Sequence, residues 1–369
     1  MDTVQENDNL GYIGEIPVRN LWLLMLYASQ LFRQMDDLQK REVEDNPDDI
    51  PDLVAEILAR AVERRLRRNL SFGYQPRQAI LSRVRGRIDH IHTERRQLLQ
   101  RGQVACRFEE LTVDTPRNRY VRAALEKSAK MVRSVDLSRR CRVLATGLVR
   151  MGVSGEHLIR HDSSVNLTGR MDTADRQMLA AAQLAFHLAL PTETPGPRNL
   201  SSPSRESRWV WELYEKAIAG FYDVTLTRWG WKVDSQQTLH WNTGNMTDRI
   251  GEILPSMRAD TVLNHTDSDR RIIIDTKFTS ILKPGNYRAQ TLASPHIYQI
   301  YAYLRSQEGL GDPLADTASG ILLYPAVNCL VDESVDIQGH NIRFATVNLD
   351  ATPGEIRHRL LELIDPALV

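Results

Sequence analysis

The chain has 369 residues, with 47 basic and 47 acidic side chains, 42% hydrophobic and 25% charged content. That balance excludes fibrous and disordered classes and suits a globular protein long enough for about two cored domains. The three cysteines, Cys106, Cys141 and Cys329, stand far apart and in no CxxC spacing, which excludes a disulfide scaffold and predicts reduced thiols in a cytoplasmic protein.

In chain order, an acidic leader with Asp2, Glu6 and Asp8 precedes an apolar run from Leu21 to Tyr27. The run is far short of the ~20 residues that span a bilayer, and the leader lacks the positive charge of a secretory signal. No membrane segment is expected. Apolar residues at three- and four-residue spacing predict helices over 21–32, 53–66, 118–132 and 176–190. Alternation and β-branched content predict strands over 78–91 and 103–113. Charge is uneven here: residues 36–52 are acidic, whereas 59–108 hold thirteen arginines against three acids. Lysine is rare throughout, seven residues against forty arginines. This half reads as an α+β domain over 1–190. Prolines, a glycine and hydroxyl residues over 191–204 predict a linker.

Beyond the linker, an amphipathic helix over 205–222 carries Val210, Leu213, Tyr214, Ala217 and Phe221 on one stripe. Strands are expected at 225–229, 258–263, 271–275, 320–325 and 343–349, and helices at 294–304 and 353–364. That order predicts an α/β domain over 205–369, a mixed central sheet flanked by helices.

Within it, Arg258-Ala-Asp260-Thr-Val-Leu263 and Arg271-Ile-Ile-Ile-Asp275-Thr-Lys277 flank a polar turn, so a hairpin brings Asp260 and Asp275 together. Strand alternation puts Asp275 and Lys277 on one face and turns Thr276 away. An acid closing a buried Ile-Ile-Ile strand needs a partner or a metal to offset desolvation. Two carboxylates and an ammonium suit phosphodiester hydrolysis. Asp260 and Asp275 hold a divalent cation, assigned as Mg²⁺, the Thr276 carbonyl lies beside it, and Lys277 stabilises developing charge. Among the helical acids, Glu215 is favoured over Glu212 to complete the metal shell or position water. Gln299 and Tyr303, four apart on a helix, face DNA phosphate, while Tyr298 and Tyr301 read as core aromatics.

Taken together, an upstream helix Glu, an Asp, the Asp-x-Lys strand and a Gln-x-x-x-Tyr helix resemble the PD-(D/E)xK nuclease superfamily. Three N-terminal stretches, Ile16-Pro-Val-Arg-Asn20-Leu-Trp-Leu-Leu-Met-Leu-Tyr27-Ala28, Arg85-Gly86-Arg87-Ile88 and Asp114-Thr-Pro-Arg-Asn118-Arg119, look like markers of the McrC family. Leu323-Tyr-Pro325 and Thr346-Val-Asn-Leu349 fit its tail. McrC proteins are nuclease subunits of the McrBC modification-dependent restriction system. The resemblance implies an N-terminal domain that docks on and stimulates a hexameric McrB-like AAA+ GTPase, and a C-terminal endonuclease that cuts double-stranded DNA. Where the family commonly has Asp-Ala-Lys, this chain has Thr276. It has no Gly-x-x-x-x-Gly-Lys-Ser/Thr loop, so GTP is expected to be bound by the partner.

For the N-terminal stretches, Pro17 and Asn20 suit a helix start, and Asp114 and Thr115 suit a cap ahead of Pro116, leaving Asn118 and Arg119 structural. Arg83, Arg85 and Arg87 alternate on one expected strand face beside Gly86 and read as partner-binding or DNA-binding residues. Two other functions stay open: a GTPase-activating adaptor with a vestigial nuclease fold, and a stand-alone DNA repair nuclease.

Overall fold

Proline, glycine and charge punctuate this chain so that its elements gather into two separate cores. A computed structural model describes residues 12–13, 16–68, 70–155, 173–193, 205–284, 289–326 and 330–368. The units are residues 1–50 with 190–369, and residues 51–189.

The first unit begins with α1 (Val18–Tyr27), nearly every residue of which is buried, and α2 (Asp37–Asp45), opened by a capping box between Asp36 and Gln39. The second unit follows with α3 (Ile50–Leu66), then strands β1 (Gly73–Leu81), β2 (Arg87–Ile88) and β3 (Val104–Thr112). They pair in the order β1-β3-β2, all antiparallel. Helices α4 (Pro116–Met131), α5 (Val135–Arg150) and α6 (Thr173–Glu193) complete that unit. Thr115 caps α4 by accepting from the Asn118 N–H, and the buried Asn118 amide donates to the Ser71 and Val113 carbonyls. Arg140 on α5 bridges Glu56 and Glu63 on α3 at 2.6 to 2.7 Å.

Returning to the first unit, the chain forms α7 (Arg205–Leu226), β4 (Trp231–Leu239), β5 (Met257–His265), β6 (Arg271–Thr276), α8 (Ser294–Arg305), β7 (Ser319–Ala326), β8 (Asp332–Ile337), β9 (His340–Asn348) and α9 (Pro353–Ile364). The six strands make one sheet in the order β8-β9-β7-β6-β5-β4. Strand β7 runs parallel to β6 and β9, and the outer pairs are antiparallel, so the sheet is mixed. Its centre is apolar on both faces because Ile272, Ile273 and Ile274 are all buried. Ile273, Val262 and Leu322 pack with Ile300, Tyr303 and Leu304 of α8. Gly220 lets α7 approach α1, since a Cβ there would stand 2.1 Å from the Tyr27 carbonyl oxygen.

Several expectations are corrected. The expected 1–190 domain is divided: residues 1–50 fold with the C-terminal half. Asn20 explains part of this, because its buried amide donates to Leu349 O at 2.7 Å and Ala351 O at 3.0 Å rather than starting the helix, where Pro17 stands as N-cap. Glu44 adds a second tie, accepting from Tyr27 Oη and from Arg357. Of the expected linker, 191–193 continues α6 and 194–204 lies outside the described residues. The expected helix 21–32 breaks at Ser29, which caps a short second helix. No strand forms at 225–229; α7 runs on to Leu226, a 3-10 turn ends at Gly230 with φ +81°, and β4 starts at Trp231. The expected strand 78–91 is two strands separated at Gly86. There φ is +69°, and a Cβ would meet the Arg107 carbonyl at 2.5 Å. Arg83 and Arg85 therefore lie in the connection and only Arg87 in a strand, so the three do not share a strand face. Cys106 and Cys141 are buried and unpaired, and Cys329 lies outside the described residues. Among the described residues no helix is long and apolar enough to cross a membrane.

Candidate active site

The isoleucine run of β6 carries Asp275 into the sheet, where its side chain is 1% exposed. Across the antiparallel β5–β6 pair Thr261 faces Ile274, which puts Asp260 and Asp275 one step further along the same register. Lys277, just past the strand, forms an ion pair with Asp275 Oδ2 and donates to Gln299 Oε1 at 2.9 Å. Gln299 in turn donates to Tyr303 Oη at 2.5 Å, and Tyr303 donates to the Arg258 carbonyl at 2.8 Å. Gln299 and Tyr303 thus brace the lysine from α8 and tie that helix to β5.

The Thr276 N–H and hydroxyl both donate to Asp260 Oδ2 at 2.7 Å, so Thr276 fixes one oxygen of the neighbouring carboxylate. The β5–β6 ladder stops at Thr261 and Ile274, which leaves the Thr276 N–H to a side-chain acceptor.

Glu215, rather than Glu212, borders this cluster from α7. Burial pushes its carboxyl up to about 7; the negative charge of Asp260 adds to that, Arg258 and Lys216 oppose it, and Asp275 adds a smaller rise. Asp275 is raised to about 6, first by burial, with Lys277 pulling it back and Asp260 pushing it further. Glu215 Oε1 and Asp275 Oδ1 are buried with no hydrogen-bond partner among the described residues. Three carboxyls that feel one another's charge, two of them with an orphaned oxygen, form a site that favours a cation or a proton. Even so, among the described residues no group of three or more His, Cys, Asp or Glu side chains is gathered tightly enough to hold a metal ion by itself.

The structure therefore brings together Asp260, Asp275, Thr276, Lys277, Glu215, Gln299 and Tyr303. Tyr298 departs from the expected core role, being 69% exposed, and Tyr301 donates to Gln338 Oε1 at 2.6 Å. Arg83, Arg85 and Arg87 belong to the other unit and are exposed. Arg85 stacks 4.1 Å from the Phe108 ring centroid and pairs with Glu110. His296, which no sequence expectation covered, joins the border of the site through Tyr324; its position three residues before Gln299 was the available signal.

Comparison with known proteins agrees with the motif reading. The chain is 25% identical over 356 residues to the type IV methyl-directed restriction enzyme EcoKMcrBC of Escherichia coli K12, covering 96% of this chain and 98% of that protein. It also aligns, at 13% identity and a TM-score of 0.42, with a chain of a half-complex from the tetradecameric assembly of Thermococcus gammatolerans McrB AAA+ hexamers with bound McrC, over 94% of this chain and 76% of that one. A family model described as McrBC 5-methylcytosine restriction system component matches residues 4–325, and the chain belongs to that family.

Proposed function

We propose that this protein is the Mg²⁺-dependent DNA endonuclease subunit of a McrBC-like restriction complex, with a PD-(D/E)xK site formed by Asp260, Asp275 and Lys277. The observation that carries this is the meeting of those side chains with Glu215 around the buried Asp275, just past the point where the β5–β6 ladder stops.

The donor set fits a hard divalent cation. Asp260 and Asp275 offer carboxylate oxygens, Asp275 Oδ1 is buried without a partner, and the Thr276 carbonyl is the nearby main-chain oxygen of the proposal. Two carboxylates are what Mg²⁺ ordinarily takes from a protein, since waters and substrate phosphate complete its octahedron. Bound there, the ion neutralises phosphate charge and lowers the pKa of a water. The chain's own residues do the rest. Lys277, held between Asp275 and Gln299, presents its ammonium to the phosphate oxygens. Glu215 Oε1, with a carboxyl near neutrality in its proton affinity, is able to hold the proton given up by the attacking water. Tyr303 and Gln299 keep the lysine in place. No nucleotide-cradling loop exists in the sequence, so GTP hydrolysis falls to a hexameric AAA+ partner, docked through the unit that carries Arg83, Arg85 and Arg87.

In the test, the full chain is mixed with its AAA+ partner, GTP, Mg²⁺ and methylated plasmid. Double-strand cuts are expected, and Asp275→Ala and Lys277→Ala should abolish them while GTP hydrolysis stays stimulated. Undiminished cleavage by both variants would remove the site assignment, and restriction in cells that ignores Asp275→Ala would favour the adaptor reading. Cleavage without any NTPase would favour a repair nuclease.

A further inference from the structure

His296, Gln299 and Tyr303 stand at i, i+3 and i+7 on α8, and so form one stripe along the helix. Gln299 and Tyr303 are spent on Lys277 and on the Arg258 carbonyl. The stripe's third member is held differently: His296 Nδ1 lies 2.9 Å from the hydroxyl of Tyr324, on β7. Tyr324 is 1% exposed and sits one residue past Leu323, whose carbonyl accepts the Lys277 N–H at 2.9 Å. The half-buried imidazole thus lies close enough to Lys277 to feel its charge, and its Nε2 makes no hydrogen bond among the described residues.

A buried hydroxyl needs an acceptor, and the imidazole nitrogen is the acceptor Tyr324 has in reach. With Tyr324 donating to Nδ1, the ring proton is left on Nε2. Burial, followed by the positive charges of Lys277 and Lys283, pushes His296 below its ordinary range, so the ring is neutral at physiological pH. Burial and the Asp275 charge push Tyr324 up, so the phenol keeps its proton.

We propose that His296 is a substrate-contacting residue whose Nε2–H donates a hydrogen bond to an oxygen of the DNA phosphodiester held beside Lys277, with Tyr324 as the positioning residue that fixes its tautomer. The inference rests on the endonuclease reading above. No proton moves through His296: water gives its proton to Glu215 as its oxygen bonds to phosphorus, the bond from phosphorus to the leaving sugar oxygen breaks, that oxygen takes up a proton from solvent, and the imidazole keeps its hydrogen throughout. A neutral donor serves here because it adds a directed hydrogen bond without a second cation crowding Lys277.

Single-turnover cleavage of methylated duplex by the full complex tests the contact. His296→Ala should slow it by about a hundredfold to a thousandfold, the range for loss of one positioned donor. His296→Gln, whose side-chain N–H reaches a similar point, should restore the rate to within about threefold of the wild type. Tyr324→Phe should fall between them. Independently, in the chain labelled with ¹⁵N-histidine, the signal missing from His296→Gln should show the Nε2–H tautomer, move when a short duplex is added in Ca²⁺, and become a mixture of tautomers in Tyr324→Phe. A wild-type rate in His296→Ala, a Gln variant as slow as the Ala variant, or an Nδ1–H signal would each overturn the proposal. If Asp275→Ala and Lys277→Ala abolish cleavage while His296→Ala does not, only the histidine assignment falls; if none of them matters, the endonuclease reading falls and takes it along.

Discussion

The centre of the six-stranded sheet and the three-stranded sheet treat the same side chain in opposite ways. At that centre carboxyls are pushed up: Asp275 on β6 to about 6 and Glu215, on α7 beside it, to about 7, in both cases chiefly by burial, whereas at the wet edge of the same sheet Arg343 holds Asp332 low. At the three-stranded sheet they are pulled down: the Arg77 guanidinium lowers Glu110 on β3, and just past β2 the His92 N–H with Arg107 lowers Asp89. The cause lies in what each strand does with its faces. Ile272 to Ile274 are buried on both sides and leave Asp275 little water. Strands β1 and β3 expose Tyr74 at 66% and Leu111 at 54%, and their charges are solvated. A charge is held in an unfavourable place only where the fold has enough apolar contact to impose it, and such places are where chemistry is found. Arginine density marked the other sheet more loudly, yet its ion pairs are those of an ordinary wet surface.

The largest break in that contrast is Lys277→Ala. It removes the cation from a buried carboxylate and from the phosphate together, and single-turnover cleavage is expected to fall by about 10³-fold, roughly 4 kcal/mol of transition-state stabilisation. A thermal melt within a few degrees of wild type would locate the loss in the chemistry. Next is Asn20→Ala. The amide satisfies two carbonyls from the far end of the chain, and its deletion strands them in an apolar setting at a cost of about 2–3 kcal/mol. Urea unfolding measures it. A midpoint equal to wild type would show that α1 packing and the Glu44–Arg357 tie hold this segment to the sheet without the Asn20 bonds.

How much of this was legible follows from the same contrast. The strands expected at 258–263, 271–275, 320–325 and 343–349 and the helices at 294–304 and 353–364 all exist, because buried elements write apolar runs into the sequence. The sheet's two edges left no such trace. Strand β4 reads Trp-Lys-Val-Asp-Ser-Gln-Gln-Thr-Leu and β8 reads Asp-Glu-Ser-Val-Asp-Ile, largely polar because an edge strand meets water. Gln236, with φ +57°, also breaks the extended conformation in β4. Among site residues, Asp260, Asp275 and Lys277 were legible from alternation across one hairpin. The Thr276 bond to Asp260 was not, since it depends on how the strand ends. Nor was the role of Asn20, whose partners lie 329 and 331 residues away.

Glu215→Gln sharpens the comparison by removing a charge from the high side. The folded carboxyl binds its proton near pH 7, whereas the unfolded one does so near 4.5. A raised value contributes stability below the unfolded pKa and loses it as pH rises through the folded one. In metal-free buffer the glutamine variant should therefore match wild type at pH 4 and gain from pH 4.5 upward, reaching a plateau above pH 7. Because Glu215 is only half-buried, solvent screening holds the gain to about 1 kcal/mol. Equal melting temperatures at pH 8 would mean that the charge is better solvated than its burial implies.

Glu110→Gln is the mirror of that substitution and the smallest effect. Its carboxyl is held low by Arg77 first and by Arg85 as well, so its contribution is present above the unfolded carboxylate range and fades as pH falls toward the folded value, opposite in sign to Glu215. The partners are exposed, with Arg77 and Arg85 both more than half open to water, and exposed pairs are screened by salt and give back in side-chain entropy what they gain in Coulomb energy. The melting temperature at pH 7 should move by less than about 1 °C, and moderate salt should erase even that. A larger, salt-resistant drop would mean that Glu110 organises Arg77, Arg85 and the Phe108 stack as a unit. The arginine-rich sheet would then have to be regarded as a built surface, comparable in its ordering to the site around Asp275.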